Sequence, residues 1–190
     1  MGAMERGVGP EAGQILIATE PGRGGYFDQS VVLLLDHNEG GTLGVCLHKL
    51  AEFPMVDVLE PFQHMLTPPA QLFEGGPVSQ QAAVCLAQVT NPHEDPPGWK
   101  RIFADVGILD LETPIELIAG AFSHMRIYVG LAGWDAGQLE GELIRGSWFR
   151  ARARAEEVFG TPHGLWRRIL RRVGGASGRW STWTDSPELN

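Results

Sequence analysis

The stretch VVLLLDHNEGGTLGVCL, residues 31–47, decides the fold. Its two apolar runs, VVLLL (31–35) and TLGVCL (42–47), each have the length of a strand and are rich in β-branched and large apolar residues. The polar, glycine-containing residues 36–41 between them are typical of a turn. The sequence therefore predicts a hairpin buried in a sheet, with ILIA (15–18) as a further buried strand before it.

The rest of the chain mixes short strand-like and helical segments. Further strands are predicted at 71–73, 82–89, 100–109, 125–134 and 147–155. Helices are predicted at 55–64, from a capping box at Thr113–Glu116, at 136–146 with Leu139, Leu143 and Ile144 on one side, and at 162–173 with Thr161 as the cap. Because strands and helices do not alternate as regular βαβ units, this pattern indicates an α+β fold with a mixed, largely antiparallel sheet.

The predicted C-terminal helix is strongly two-sided. Leu165, Trp166, Ile169 and Leu170 form an apolar stripe. We expect this stripe to pack on the sheet of the same chain, because large apolar side chains are costly to leave in water. The opposite face carries four arginines, which we expect to face water: Arg167, Arg168, Arg171 and Arg172.

Length and composition indicate one globular domain. The chain has 190 residues, of which 43% are hydrophobic and 20% charged, enough for a single core. No apolar run approaches the roughly 18 residues of a membrane span, and the N-terminus has no apolar core typical of a signal peptide. We therefore predict a cytoplasmic protein without a membrane partner. Residues 1–13 are interpreted as a disordered lead-in, 14–175 as the domain and 176–190 as a polar tail.

The two cysteines, Cys46 and Cys85, each lie within an apolar strand-like stretch. In a reducing compartment such residues are small buried hydrophobic groups, so we expect two thiols and no disulfide.

Charge is unevenly distributed along the chain. The net charge is -8, yet residues 145–190 carry 9 arginines and only 4 acidic residues, whereas residues 1–144 carry 6 basic and 19 acidic ones. An acidic body lacks the electrostatic attraction behind most non-specific nucleic-acid binding. Nucleic acid is therefore not the expected partner, although four arginines near the C-terminus are weak candidates for contacting it: Arg150, Arg152, Arg167 and Arg171.

Motifs for common chemistry are missing from the sequence. It contains no GxSxG elbow, P-loop, HExxH or CxxC pair. The six histidines are too scattered to share one helix face or turn. No catalytic residue, metal or cofactor is therefore assigned, and the sequence favours a protein that is not an enzyme.

Three glycine-containing segments are the candidates for a binding site. The first, 25–31, places Ser30 where a turn enters a strand, and the second, EGGPV (74–78), contributes Gly75, Gly76 and Pro77. The third, GLAGWD (130–135), contributes Trp134, with Gln138 just after it. Glycines let a ligand or another backbone approach closely, so the second and third segments could floor one pocket with Trp134 as a stacking platform. The alternative is structural: a bulge or tight bend at Gly75–Gly76, and a buried Trp134.

Several of these segments together resemble the AlgH/YqgE family of small bacterial proteins. The resemblance is carried, in family order, by GQILIATEP (13–21), FDQSVVLLLDHNEGGTLGVCLHK (27–49), FEGGPV (73–78), VGLAGWDAGQLEGELIRGSWF (129–149) and GLWRRILRRVGG (164–175). It implies a bifurcated sheet rolled into a pseudo-barrel and flanked by short helices. It also implies the label of transcriptional regulator, although no helix-turn-helix can be placed in this sequence.

The chain departs from the family pattern at two places. His48 and Lys49 stand where the family has Asn-Arg, and Ala87 and Gln88 stand where it has Leu-His. A polar role shared by the usual Asn and His would therefore be altered here.

Three functional hypotheses remain. The first is a non-enzymatic module that binds a small molecule or a protein partner. The second is a hydrolase-like enzyme with a site near Ser30, in which Ser30 or Asp28 would work with a histidine base. His37 lies about 20 Å from Ser30 along the strand, so a neighbouring strand would have to bring His48 or another base close. The third is a nucleic-acid-binding transcriptional regulator that uses the C-terminal arginines.

Overall fold

The computed structural model of this chain describes residues 9–22, 24–52 and 57–183. Its strands are β1 Gln14–Ala18, β2 Val31–Asn38, β3 Gly41–Cys46, β4 Phe73–Glu74, β5 Val78–Val89, β6 Trp99–Phe103, β7 Val106–Leu109, β8 Phe122–Asp135 and β9 Trp148–Arg152. Its helices are short: α1 Ile115–Ile118, α2 Gln138–Ile144, α3 Ala155–Phe159, α4 Leu165–Val173 and α5 Gly175–Gly178, with 3₁₀ helices at Asp57–Met65 and Arg179–Thr182.

The strands form one sheet in the order β6-β7-β5-β8-β3-β2-β1-β9, with antiparallel neighbours throughout, while β4 pairs with β8 in parallel. The sheet curls until β6 approaches the residue that precedes β1. A Cβ atom at Gly13 would lie 2.9 Å from the Cβ of Phe103. The predicted α+β class is confirmed, as a largely antiparallel sheet curled into a half-barrel with short flanking helices.

Strand β8 is where the sheet divides. One of its edges pairs with β5, and its other edge is shared by β4, at Tyr128–Val129, and by β3, at Ala132–Asp135. Gly75, directly after β4, donates to Val129 O at 2.8 Å and accepts from Cys46 N at 2.8 Å. The β4 segment therefore wedges between β8 and the continuation of β3. We call this region, residues 46–49, 73–76 and 128–132, the fork.

The continuous apolar runs of β1 and β2 arise because both strands are buried on both faces. Ile15, Ile17 and Leu33 pack in the cluster that includes α4, whereas Leu16 and Val32 pack in a second cluster on the other face. Strands covered on two sides have no polar face, which explains the lack of alternation.

Helix α4 buries its apolar stripe on the sheet of the same chain, as predicted. Leu165, Trp166, Ile169 and Leu170 are at most 3% exposed, and the indole of Trp166 donates to Ala18 O at 2.9 Å. The prediction that all four arginines face water was wrong for Arg167 and Arg172, which are half-buried. Both hydrogen-bond to main-chain carbonyls, those of Trp183 and Arg152.

Several predicted element boundaries were wrong for local reasons. Residues 100–109 form the two strands β6 and β7, because the chain turns at Ala104, whose φ is +43°. That turn lacks the Asn-Gly or Asp-Gly pair that would have announced it. Helix α1 has one turn and no side-chain cap, and α4 begins at Leu165 after Gly164, at φ +70°, instead of at Thr161. Ile144, expected on the apolar side of α2, is 87% exposed.

Both ends of the described chain are tied to the sheet. Gly13 donates to Leu34 O at 2.9 Å and accepts from Ala153 N at 3.0 Å, although it lies in the segment expected to be disordered. In the segment expected to be a polar tail, α5 and the following 3₁₀ helix pack on α4 and bury Ser177 and Ser181. Residues 1–8 and 184–190, and Met55 and Val56 of the predicted first helix, lie outside the described residues.

Both cysteines are buried thiols, which confirms the prediction for them. Burial raises the pKa of Cys46 to about 12, and it also raises that of Cys85. No helix within the described part of the chain has the length and apolar character needed to cross a membrane.

Candidate functional site

Four aromatic side chains and one carboxylate meet at the C-terminal end of β8, just beyond the fork. Oε2 of Glu142 accepts the indole N–H of Trp134 at 2.9 Å and that of Trp148 at 2.8 Å. The ring of Phe27 stacks on Trp134, with centroids 6.1 Å apart, and meets Trp148 edge-on at 5.8 Å, while Tyr26 packs edge-on against Phe27. We call these five residues the aromatic corner.

The chain path brings the corner together. Trp134 lies near the end of β8, Trp148 begins β9, and Glu142 lies on the helix α2 between them. Gly137, at φ +75°, lets the chain turn sharply from β8 into α2, a conformation that favours glycine. Gln138, one of the predicted site residues, then braces the turn. Its Oε1 accepts from Asp135 N at 3.0 Å, and its Nε2 donates to Glu142 Oε1 at 3.1 Å.

A glycine-rich turn between β1 and β2 delivers Tyr26 and Phe27. The carboxylate of Asp28 accepts the backbone N–H of Gly22 at 3.1 Å and that of Gly24 at 3.3 Å, which fixes the turn from inside. The C-terminal segment covers it from outside. A Cβ at Gly22 would lie 2.9 Å from the ring of Trp183, whose carbonyl Arg167 holds at 2.8 Å.

An open cavity of about 410 Å³ lies between this turn and the connection from α2 to β9. Both the turn and the connection contribute polar residues to its wall, and Phe27 and Trp148 are among its aromatic residues. Its lining residues are Ala18, Thr19, Glu20, Gly24, Gly25, Tyr26, Phe27, Asp28, Glu142, Arg145, Ser147 and Trp148.

Tyr26 also links the aromatic corner to the fork. Its hydroxyl donates to Glu74 Oε1 at 2.5 Å, and the ammonium of Lys49 lies 3.6 Å from the centre of its ring while donating to its carbonyl. Burial, reinforced by the hydrogen bond to Glu74, raises the pKa of Tyr26. The phenol therefore stays protonated and donates to the carboxylate.

The predicted pocket floored by EGGPV and GLAGWD is occupied by main chain at its glycines. A Cβ at Gly75 would lie 2.3 Å from Gly130 O, and one at Gly76 would lie 2.1 Å from the carbonyl of Leu131. These glycines let two backbones approach each other closely, one of the two uses of glycine that the sequence suggested. Pro77, next to them, is exposed.

Trp134 is only 5% exposed and does not line the 410 Å³ cavity. It backs the rings of Phe27 and Trp148 instead. Of the predicted ligand-binding residues, the structure therefore brings Trp134 and Gln138 together through Glu142. It places Gly75 and Gly76 in the fork and Pro77 directly after it.

Ser30 is completely buried behind the glycine-rich turn, and its hydroxyl lies 3.5 Å from Tyr26 O. His37, at the far end of β2, contacts Thr42 Oγ1 at 2.7 Å and Glu140 Oε1 at 3.5 Å. Burial lowers the pKa of His48 to about 4, and its Nδ1 has no hydrogen-bond partner among the described residues. A substrate has no path to a hydroxyl with zero exposure, so this geometry disfavours the hydrolase hypothesis.

Many arginine side chains contact carbonyls or carboxylates of the same chain. Arg126, 1% exposed, binds three main-chain carbonyls, those of Val158, Gly160 and Pro68. Of the four weak nucleic-acid candidates, Arg167 holds Trp183 O, Arg152 lies 3.9 Å from Glu11, Arg150 is half-buried on β9, and Arg171 is exposed.

Gln88, the second departure from the family pattern, donates to Asp105 Oδ2 at 2.8 Å.

Sequence reasoning missed five residues that build the cavity: Tyr26, Phe27, Glu142, Arg145 and Trp148. Some of these residues could have been predicted from the sequence. Strict alternation in 147–155 places Trp148 on the same face as Arg150, and the paired Gly24 and Gly25 mark the turn that carries Tyr26 and Phe27. The position of Glu142 between two indoles could not be predicted, because it depends on how α2 packs between the ends of β8 and β9.

Known proteins match this chain over nearly its whole length. A family model described as DUF179, AlgH-like, matches residues 15–178. UPF0301 proteins of Streptomyces coelicolor and Thermobifida fusca are 40% and 39% identical, and each match covers 94% of this chain and 94% of the relative.

Two solved structures share the fold. A protein from Corynebacterium diphtheriae superposes with a TM-score of 0.86 at 29% identity, covering 95% of both chains. The AlgH protein from Pseudomonas aeruginosa gives a TM-score of 0.64 at 22% identity, covering 95% of this chain and 98% of the other, and so shows the fold alone. With the curled, forked sheet described above, these matches establish that the chain belongs to the AlgH-like UPF0301 family.

Proposed function

We propose that this protein is a small-molecule-binding module whose site is the cavity at the aromatic corner. The observation that carries the proposal is the cavity of about 410 Å³ with a fixed carboxylate and two aromatic rings in its wall. Small-molecule sites are typically concave, with apolar and aromatic walls and a few oriented polar groups.

Hydrogen bonds within the protein hold the cavity wall in place before any ligand binds. Glu142 accepts from three side chains, and Asp28 accepts from two backbone amides of the turn. A wall that is ordered before binding loses little conformational entropy when the ligand enters. This pre-organisation supports a binding role.

The alternatives receive less support from the residues. An enzyme would need a nucleophile or base that a substrate can reach, and Ser30 is fully buried. A nucleic-acid surface would need arginines that are available to phosphates, and several of them already bind carbonyls or carboxylates of the same chain. The cytoplasmic location stays a prediction from the sequence.

The test is a thermal-shift screen of the wild-type protein against a library of metabolites, with two variants as filters. Ser147→Trp places a large ring at the exposed side of the cavity, and Gln80→Trp adds the same ring to the exposed part of β5. A ligand of this site should raise the melting temperature of the wild type and of Gln80→Trp but not of Ser147→Trp. Equal shifts in all three proteins for every hit would contradict the assigned site.

A further inference from the structure

We propose that the cavity at the aromatic corner binds an organic cation, a small molecule that carries an amine, quaternary ammonium or guanidinium group. This inference rests on the proposed function and names the ligand class of the same site. Three features of the wall lead to it: its charge balance, the spare acceptor capacity of Glu142, and its aromatic rings.

The described residues of the cavity wall carry a net negative charge. Glu20, Asp28 and Glu142 contribute three carboxylates, and Arg145 contributes one guanidinium. Charges in a cavity wall act on a bound ligand across only a few ångströms, so an excess of carboxylates favours a ligand of positive charge. Residues 1–144, which form most of the surrounding body, are acidic as well.

Glu142 is oriented but not saturated. A carboxylate offers about four lone-pair directions. Two are used at Oε2 by the indoles of Trp134 and Trp148, and one at Oε1 by Gln138. One acceptor direction therefore remains on a carboxylate that three donors prevent from turning away, and a charged N–H donor is the strongest partner for it.

The rings beside Glu142 suit the same ligand. Phe27 and Trp148 both line the cavity, and the faces of aromatic rings attract cations. The competing inference is an anion held by the guanidinium of Arg145, which is exposed and forms no side-chain hydrogen bond or ion pair within the described residues. Such an anion would lie in a cavity with three carboxylates, so repulsion disfavours it.

The test is isothermal titration at low salt with agmatine and choline as cationic probes and glutarate as the anionic probe. Wild-type protein should bind at least one cation with one-to-one stoichiometry. Glu142→Gln should weaken this binding at least tenfold, whereas Glu140→Gln, on the same helix but outside the cavity wall, should leave it unchanged. Arg145→Gln should strengthen it severalfold, because the repelling charge is removed.

Phe27→Leu keeps every charge and removes one ring, so it provides a second route if Glu142→Gln is unstable. It should weaken choline binding about three- to tenfold. Saturable glutarate binding that Arg145→Gln abolishes would overturn the cation inference and leave the proposed binding function standing. Failure of both cations to bind the wild-type protein, at concentrations where the library screen finds a ligand for the same cavity, would also overturn it.

Discussion

The fork and the aromatic corner were both marked by glycines in the sequence, yet they use glycine in opposite ways. At the fork, Gly75, Gly76 and Gly130 bring two backbones so close that a Cβ has no room. At the aromatic corner, Gly24, Gly25 and Gly137 have no neighbour within 4 Å of a Cβ position, and Gly24 and Gly25 line the open cavity. A glycine beside empty space therefore serves to turn the chain, whereas a glycine that faces main chain allows a close backbone contact.

The largest expected effect separates these two uses of glycine. Gly76→Ala would place a Cβ 2.1 Å from the Leu131 carbonyl, so the fork must open. We expect a loss of more than about 4 kcal/mol in the free energy of unfolding, or no folded protein. Gly137→Ala is the matched control, with φ +75° but open space around it. It should lose about 1 to 2 kcal/mol. Urea denaturation of both variants measures the difference, and equal losses would contradict the comparison.

The next effect concerns the carboxylate at the aromatic corner. Glu142→Leu leaves two largely buried indole N–H groups without an acceptor, which should cost about 2 to 4 kcal/mol. Glu140→Leu removes only the contact with His37 at 3.5 Å, for which an exposed pair predicts at most about 1 kcal/mol. Chemical denaturation should rank the variants in this order. A Glu142→Leu protein as stable as Glu140→Leu would show that the indoles do not depend on the carboxylate.

A smaller, pH-dependent effect belongs to the fork. Burial lowers the pKa of His48 to about 4, below the value of 6.5 in an unfolded chain. Between pH 6.5 and 4 the unfolded state therefore binds more protons, and His48 makes the fold lose stability as the pH falls, by up to about 3 kcal/mol. The difference in stability between wild type and His48→Gln should change over this window and be constant above pH 7. A pH-independent difference would mean that His48 takes up its proton equally well in the folded state.

Strand content and the position of α4 could be predicted because they depend on local pattern. The uninterrupted apolar runs of β1 and β2 and the stripe from Leu165 to Leu170 need only burial to become strands and a helix. The turn at Ala104 could not be predicted, because its residues carry no hairpin signal and alanine rarely adopts the positive φ found there. Ile144 was misplaced for a related reason: α2 buries Leu139, and the sheet does not reach its C-terminal end.

The candidate site was predicted only in part, because its members come from two stretches that are distant in sequence, 18–28 and 134–148. GYFDQSV and GLAGWDAGQLEGEL were recognised as candidates, but which side chains face the cavity depends on the packing of Phe27 between two tryptophans. Trp134 was predicted as a site residue because it lies in a glycine-rich motif. In the structure it packs behind Phe27 and Trp148 and does not line the cavity. Glu142 lies within the recognised segment but was not singled out, and Trp148 lies in a segment whose pattern describes only a strand, although both residues line the cavity.

The most direct test of the difference between the two regions is an NMR titration of labelled protein with the cation that binds best. The account predicts shifts of the Trp148 indole N–H and of the Gly24 and Ser147 amides, with little change at the amides of Gly75 and Gly76. Shifts concentrated at Gly75 and Gly76, with the Trp148 indole unmoved, would contradict it and place the ligand at the fork.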